Sequence, residues 1–204
     1  ASDIFVQNQI GMAHESMNPK GIMFREARDS EVHPDTVPII LGLDVTGSMG
    51  HIPHELIKEG LPKLMGGIIQ GGVPDPALLF LGIGDHECDR FPLQVGQFES
   101  GDEELDMWLT RTYIESGGGG NAGESYLLAW YFAAFHTKTD AFEKRGQKGL
   151  LFTVGDEPNL PTLPASAIKE IMGSGQQTYT HLELLKEAQK SYEVYHISVL
   201  HSDQ

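Results

Sequence analysis

Asp44, Thr46 and Ser48 occupy every second position of the run Leu41-Gly42-Leu43-Asp44-Val45-Thr46-Gly47-Ser48-Met49-Gly50. Three oxygen side chains in that spacing can hold a hard divalent cation. Alternate residues of an extended strand point to one side but lie roughly 6.6 Å apart, so the three converge on one ion only where the backbone curls. Gly47 and Gly50 permit that curl. The same residues also suit a strand-to-helix turn in which Thr46 or Ser48 simply caps the helix that follows. What the rest of the fold brings to this spot decides between the two.

Other segments carry polar chemistry. The loop Thr153-Val154-Gly155-Asp156-Glu157-Pro158 places an acid just past an apolar run, and a glycine-rich loop spans residues 116–125. Within it Asn121 and Glu124 are spaced as a capping box, or Asn121 offers its amide oxygen to a metal. The segment Gly84-Asp85-His86-Glu87-Cys88-Asp89 is either a polar, solvated loop or a site for a softer metal through His86 and Cys88. His51 and His54 do not match the H-E-x-x-H zinc spacing. Trp108, Trp130, Tyr126, Tyr131, Phe132 and Phe135 read as core, and Asp102-Glu103-Glu104 as a helix start that favours the dipole.

Strands and helices must alternate to position these loops. Apolar runs at 37–43, 77–83, 91–98, 150–154 and 194–200 predict five strands. Residues 53–69 carry Leu56, Ile57, Leu61, Leu64, Met65 and Ile68 at helical spacing, with Gly60 and Pro62 placed to kink or split the helix. Helices are also expected at 103–113, 124–137, 165–172 and 181–191, the second nearly all apolar and therefore deeply buried. Alternation of this kind builds an α/β, doubly wound, mainly parallel sheet covered on both faces. Ligands of such sheets bind beyond the carboxyl ends of the strands, where the strand order reverses. With the first and fourth strands as neighbours, Asp156 faces Asp44. Residues 1–35 are polar and poorly periodic, which reads as an N-terminal extended arm with a brief strand at 4–6; residues 36–204 form the domain proper.

Composition narrows the partners. The 204 residues carry 14 basic and 29 acidic side chains, a formal net charge of -15. Nucleic-acid backbones and anionic membrane surfaces would repel such a chain, while metal ions and cationic groups would not. The apolar run 127–135 is too short to span a bilayer, and no charged-then-apolar signal segment opens the sequence, so no membrane insertion is expected. A single cysteine, Cys88, makes no internal disulfide, which points to a cytoplasmic setting.

Taken together, the three loops resemble the von Willebrand factor type A (vWA) domain with its metal-ion-dependent adhesion site (MIDAS), over roughly residues 36–200. The family joins a D-x-S-x-S loop, a glycine-rich loop ending in Thr or Asp, and an aspartate after the fourth strand. Here those positions are Asp44, Thr46 and Ser48, then Asn121, then Asp156. Asn121 departs from the pattern, since an amide stands where the family has a hydroxyl or carboxylate. The stretch Asp85-His86 is similar to the R-D-H of some intracellular bacterial and phage members, with Gly84 in place of the arginine. The resemblance implies a three-layer Rossmann-like fold of strand order 3-2-1-4-5 with an antiparallel edge strand. It implies Mg²⁺, or Mn²⁺, ahead of Ca²⁺. It also implies a binding module, not an enzyme, whose cation takes an Asp or Glu of a protein partner, in a multiprotein or ATPase-associated assembly. Two alternatives stay open. Asp44-Val45-Thr46-Gly47-Ser48 also resembles the D-K-T-G-T loop of haloacid-dehalogenase-like phosphotransferases, with Asp44 as nucleophile, and a vWA scaffold with a degenerate metal site fits Asn121.

Overall fold

The computed structural model describes residues 6–115, 121 and 123–200. Its centre is a five-stranded sheet. After a short strand β1 (Arg25–Ala27), β2 (Val37–Asp44), β3 (Pro76–Ile83) and β4 (Leu93–Glu99) belong to this sheet, β5 (Thr137–Thr139) does not, and β6 (Gly149–Gly155) does. Two short strands, β7 (Thr162–Leu163) and β8 (Tyr179–Thr180), pair with each other, and β9 (Tyr192–Ser198) completes the sheet. The order is β4-β3-β2-β6-β9, which is 3-2-1-4-5 when only these five are numbered. Every pairing is parallel except β4 on β3, which is antiparallel at the edge. Both features match the sequence reading.

Burial explains why the central strands are continuous apolar runs. All positions of β3 and all but the first of β2 are buried, as expected of parallel strands covered on both faces. Alternate residues enter different clusters: Ile39, Leu41 and Leu43 pack with Leu78, Phe80, Leu105 and Trp108, whereas Ile40 packs with Leu79, Leu81, Leu128 and Phe132. The sheet thus divides the core in two. Across β2 the register sets Leu43 opposite Gly82 of β3 and Val154 of β6, so the carboxyl ends of β2 and β6 lie side by side.

The helices follow the sequence reading at the expected kink and depart from it at the start of the buried helix. Following a first turn α1 (Val6–Ile10), the expected kinked helix is α2 (Ile52–Glu55), a π-helical stretch Leu56–Gly60 and α3 (Leu61–Gln70), so the break falls where Gly60 and Pro62 weaken the ladder. Helix α4 (Asp102–Thr110) carries Asp102, Glu103 and Glu104 in its first turn. Helix α5 (Tyr126–Phe135) is buried from Tyr126 to Ala133 and has Ser125, not Asn121, at its N-cap. No capping box forms between Asn121 and Glu124. The Glu124 backbone is instead committed to the segment after β6, donating to Pro158 O at 2.9 Å and accepting from Leu160 N at 2.9 Å. Those bonds hold Glu124 extended and delay the helix. The remaining helices are α6 (Asp140–Arg145), α7 (Ala165–Met172) and α8 (His181–Ala188).

The first 35 residues, seen from Val6 onward, are packed along the domain. Of the strand expected at 4–6, Ile4 and Phe5 lie outside the described residues and Val6 begins α1. Met17 is fully buried in the core, β1 pairs in parallel with β5, and the Asn8 amide exchanges hydrogen bonds with the Ile114 backbone. Arg28 donates to Asp140 at 2.8 Å, and Arg145 donates to Asp29 at 2.5 Å and to Thr36 O at 2.9 Å. The glycine tract 117–120 lies outside the described residues.

Candidate metal centre

Asp44 is the last residue of β2 and is fully buried, 0% exposed. Its Oδ1 accepts from Thr46 N at 2.9 Å and from the Thr46 hydroxyl at 2.6 Å. This Asx turn reverses the chain locally, and the 3₁₀ turn Gly47–Met49 continues it to Gly50 at φ 55°, a conformation open to glycine. Val45 and Met49 point into the core beneath, which leaves Thr46 and Ser48 on the other side of the turn. The predicted curl therefore exists, and an aspartate makes it as much as the glycines do.

The three oxygen side chains do converge. Thr46 Oγ1 lies 3.1 Å from Ser48 Oγ, and Ser48 donates to Asp156 Oδ1 at 3.0 Å. Asp156 follows directly on β6, as its place beside β2 requires. The group runs from buried Asp44 to exposed Ser48, so one end is open to solvent. Beneath it, the Tyr126 hydroxyl donates to Asp44 Oδ2 at 3.2 Å. Tyr126 reaches that oxygen because Gly155 has no side chain: a Cβ there would overlap the phenol oxygen.

Asn121 is not drawn into this group. Its amide is exposed and donates to Glu87 Oε2 at 2.8 Å. Glu124 stands there instead. Only 7% exposed, its carboxyl is pushed up to about 9 by burial first, then by the charges of Asp44 and Asp89, with the neighbouring Thr46 hydroxyl opposing the rise. Its Oε2 is buried with no hydrogen-bond partner among the described residues. Asp44 is raised to about 6, again chiefly by burial, with the Thr46 bonds opposing and Asp156 adding to the rise. The groups acting most strongly on these two acids are other carboxylates, hydroxyls and a phenol. Buried carboxylates crowded in this way favour either a proton or a cation.

The loop after β3 is more structural than either sequence reading allowed. Asp85 is 1% exposed and its Oδ1 accepts from Glu87 N at 2.8 Å, while Asp89 Oδ2 accepts from Asp85 N at 2.7 Å. His86 N and its ring Nδ1 both meet Ser125 Oγ, at 2.9 and 2.7 Å, tying this loop to the start of α5. Cys88 is exposed. Among the described residues no group of three or more His, Cys, Asp and Glu side chains is placed to hold a metal ion. Thr46 and Ser48 stand outside that donor class, so a centre built on their hydroxyls is of a different kind. The donor set there, with the orphaned Glu124 oxygen, fits a hard, oxygen-seeking cation.

No family model matches the chain, and no curated protein matches it. Among solved structures it is similar to the pilus adhesin SpaC from Lactobacillus rhamnosus GG, at 14% identity and a TM-score of 0.51 over 92% of this chain and 28% of that one. The open conformation of the same adhesin gives 14% identity and a TM-score of 0.49, over 91% and 27%. The chain thus spans less than a third of the adhesin's length. At this identity the first likeness speaks for the fold alone, an α/β fold with a mostly parallel central sheet. Among the described residues no helix is long and apolar enough to cross a membrane.

Sequence reasoning missed two residues of the group. Tyr126 reads as core, where its ring does lie, but nothing in the sequence shows that Gly155 opens a path for its hydroxyl. Glu124 reads as part of a helix cap. The signal available for it was an acid at the entrance of an otherwise apolar helix.

Proposed function

We propose that the chain is a vWA-type domain, with a three-layer arrangement, that binds a partner protein through a divalent cation held at Thr46 and Ser48. The supporting observation is the convergence of Thr46, Ser48 and Asp156 above buried Asp44, at the adjacent carboxyl ends of β2 and β6. The two hydroxyls are the direct ligands. Asp44 and Asp156 orient them and their water, Asp44 by holding the Thr46 hydroxyl and Asp156 by accepting from Ser48. Mg²⁺ or Mn²⁺ bound this way keeps several waters. One of them can give place to an Asp or Glu side chain of the partner, and the solvent-open end at Ser48 is where that carboxylate would arrive.

Two features weigh against Asp44 as a nucleophile. It is fully buried, and both its oxygens already accept hydrogen bonds, from Thr46 and from Tyr126. Attack on a phosphoryl donor would break those bonds in a place the donor does not reach. The test is water-proton relaxation of the Mn²⁺-loaded protein. Acetate is expected to displace a coordinated water and lower the relaxivity of the wild type, with no Mn²⁺ effect at all in Asp44→Ala. A wild type that binds no Mn²⁺ would leave the scaffold reading standing, and one that binds it but ignores acetate would remove the partner-carboxylate role.

A further inference from the structure

We infer that Glu124, and not Asn121, is the side chain through which the glycine-rich loop reaches the cation. The inference rests on the metal-site reading above and assigns a residue that the motif does not. Asn121 is exposed and engaged with Glu87. Glu124 is buried beside Thr46 and Asp44, and its backbone is fastened on both sides, to Pro158 O and by Leu160 N, so the carboxylate is positioned by the segment after β6 as much as by its own loop.

The choice between the acids follows from their free valences. Both Asp44 oxygens are held, by Thr46 and Tyr126, and turning either toward an ion would sever bonds of 2.6–3.2 Å. Glu124 Oε2 has no such bond to lose. A buried acceptor left without a donor is costly, and buried polar groups in folded proteins nearly always have a partner. Among the described residues none is placed to donate to it, whereas a cation at the Thr46 hydroxyl would give it a partner. The direct protein ligands then become Thr46, Ser48 and Glu124, with a single anion among them. That composition agrees with the lack of a three-acid cluster among the described residues.

Calorimetric titration with MgCl₂ and with MnCl₂ tests this on the whole chain, for the wild type, Glu124→Gln, Glu124→Asp, Asn121→Ala and Asp44→Ala. Glu124→Gln is expected to weaken binding about 10-fold or more, as loss of even an outer partner of a metal ligand typically does. Glu124→Asp should lose nearly as much by drawing the oxygen back one methylene, and Asn121→Ala should stay within about 3-fold. Far-ultraviolet circular dichroism of each variant separates lost binding from lost folding, and Glu124→Gln is expected to fold because it replaces a buried acid with a neutral isostere. Unchanged affinity in folded Glu124→Gln, or an equal loss in Asn121→Ala, would overturn the assignment while the site itself stands. A folded wild type that binds neither metal would instead bring down the site reading, and this assignment with it.

Discussion

At the scale of single residues, the centre is a matter of which oxygens are already spoken for. Asp44 spends both of its oxygens on shaping the turn and receiving Tyr126, so in the proposed centre its charge would act on an ion through Thr46 and water. We predict that Asp44→Asn folds, because an amide oxygen can still accept from Thr46 N, but that it loses any response of melting temperature to Mg²⁺. Differential scanning calorimetry with and without the metal reads this directly. Gly155→Ala should be worse for the fold: its methyl group would occupy the place of the Tyr126 hydroxyl. Overpacking of a tight core typically costs about 1–3 kcal/mol, to be measured as a shift in the urea midpoint with unchanged slope. If Gly155→Ala were as stable as the wild type, Tyr126 would have an alternative position and its tie to Asp44 would be incidental.

Between elements, the same logic explains why the arm belongs to the domain. The polar residues that make positions 1–35 read as an extended arm include several spent on specific partners: Arg28 on Asp140, Asp29 on Arg145, Asn8 on the Ile114 backbone. Burial pushes the Asp29 carboxyl up, but the Arg145 and Thr36 hydrogen bonds outweigh it and hold the group below the usual carboxylate range. A carboxylate depressed in the folded state stabilises it above the unfolded value, about 3.9 for Asp, and that contribution is lost as pH falls through the lower folded value. The arm is therefore expected to loosen below about pH 4 while remaining attached at neutral pH, a difference that amide hydrogen exchange at residues 25–36 would show. Arg145→Ala should give the same local opening at pH 7. Equal protection in the variant would mean that β1 and β5 hold the segment without the ion pair.

For the whole molecule, the buried carboxylates and the hydrophobic core pull in opposite directions. Phe132, fully buried in α5 against β2 and β3, is the sort of side chain whose truncation to alanine costs about 3–5 kcal/mol. That is enough to threaten a domain of ordinary stability. Crowded acids at the carboxyl ends of the strands add a strain that a cation would relieve. A ligand at 100 times its dissociation constant stabilises by about 2.7 kcal/mol, which for a chain of this size corresponds to a rise in melting temperature of roughly 5–11 °C. Wild-type protein in saturating Mg²⁺ or Mn²⁺ should show such a rise. No rise, with Asp44→Asn melting at the same temperature as the wild type in metal, would remove the cation from the account.

The fold was legible in the sequence because its signals are local and redundant. Continuous apolar runs mark strands buried on both faces, a nearly all-apolar segment marks α5, and Gly60 with Pro62 marks the break between α2 and α3. The strand order came from the family resemblance of the three loops, and setting the first and fourth strands side by side placed Asp156 across from Asp44. The loop Asp44 to Gly50 was readable as a curl. What the sequence could not supply was the company each loop keeps. That Glu124, and not Asn121, lies beside Thr46 and Asp44 goes with backbone bonds to Pro158 and Leu160, distant in the sequence, and no spacing within the loop encodes them. The reach of Tyr126 to Asp44 likewise depends on a missing side chain at Gly155 on another strand. Composition and periodicity determine which elements form, since each depends on neighbours along the chain. Only the tertiary structure decides which oxygens are buried, which are already bonded and which one is left without a partner among the described residues, because those are properties of packing between distant segments.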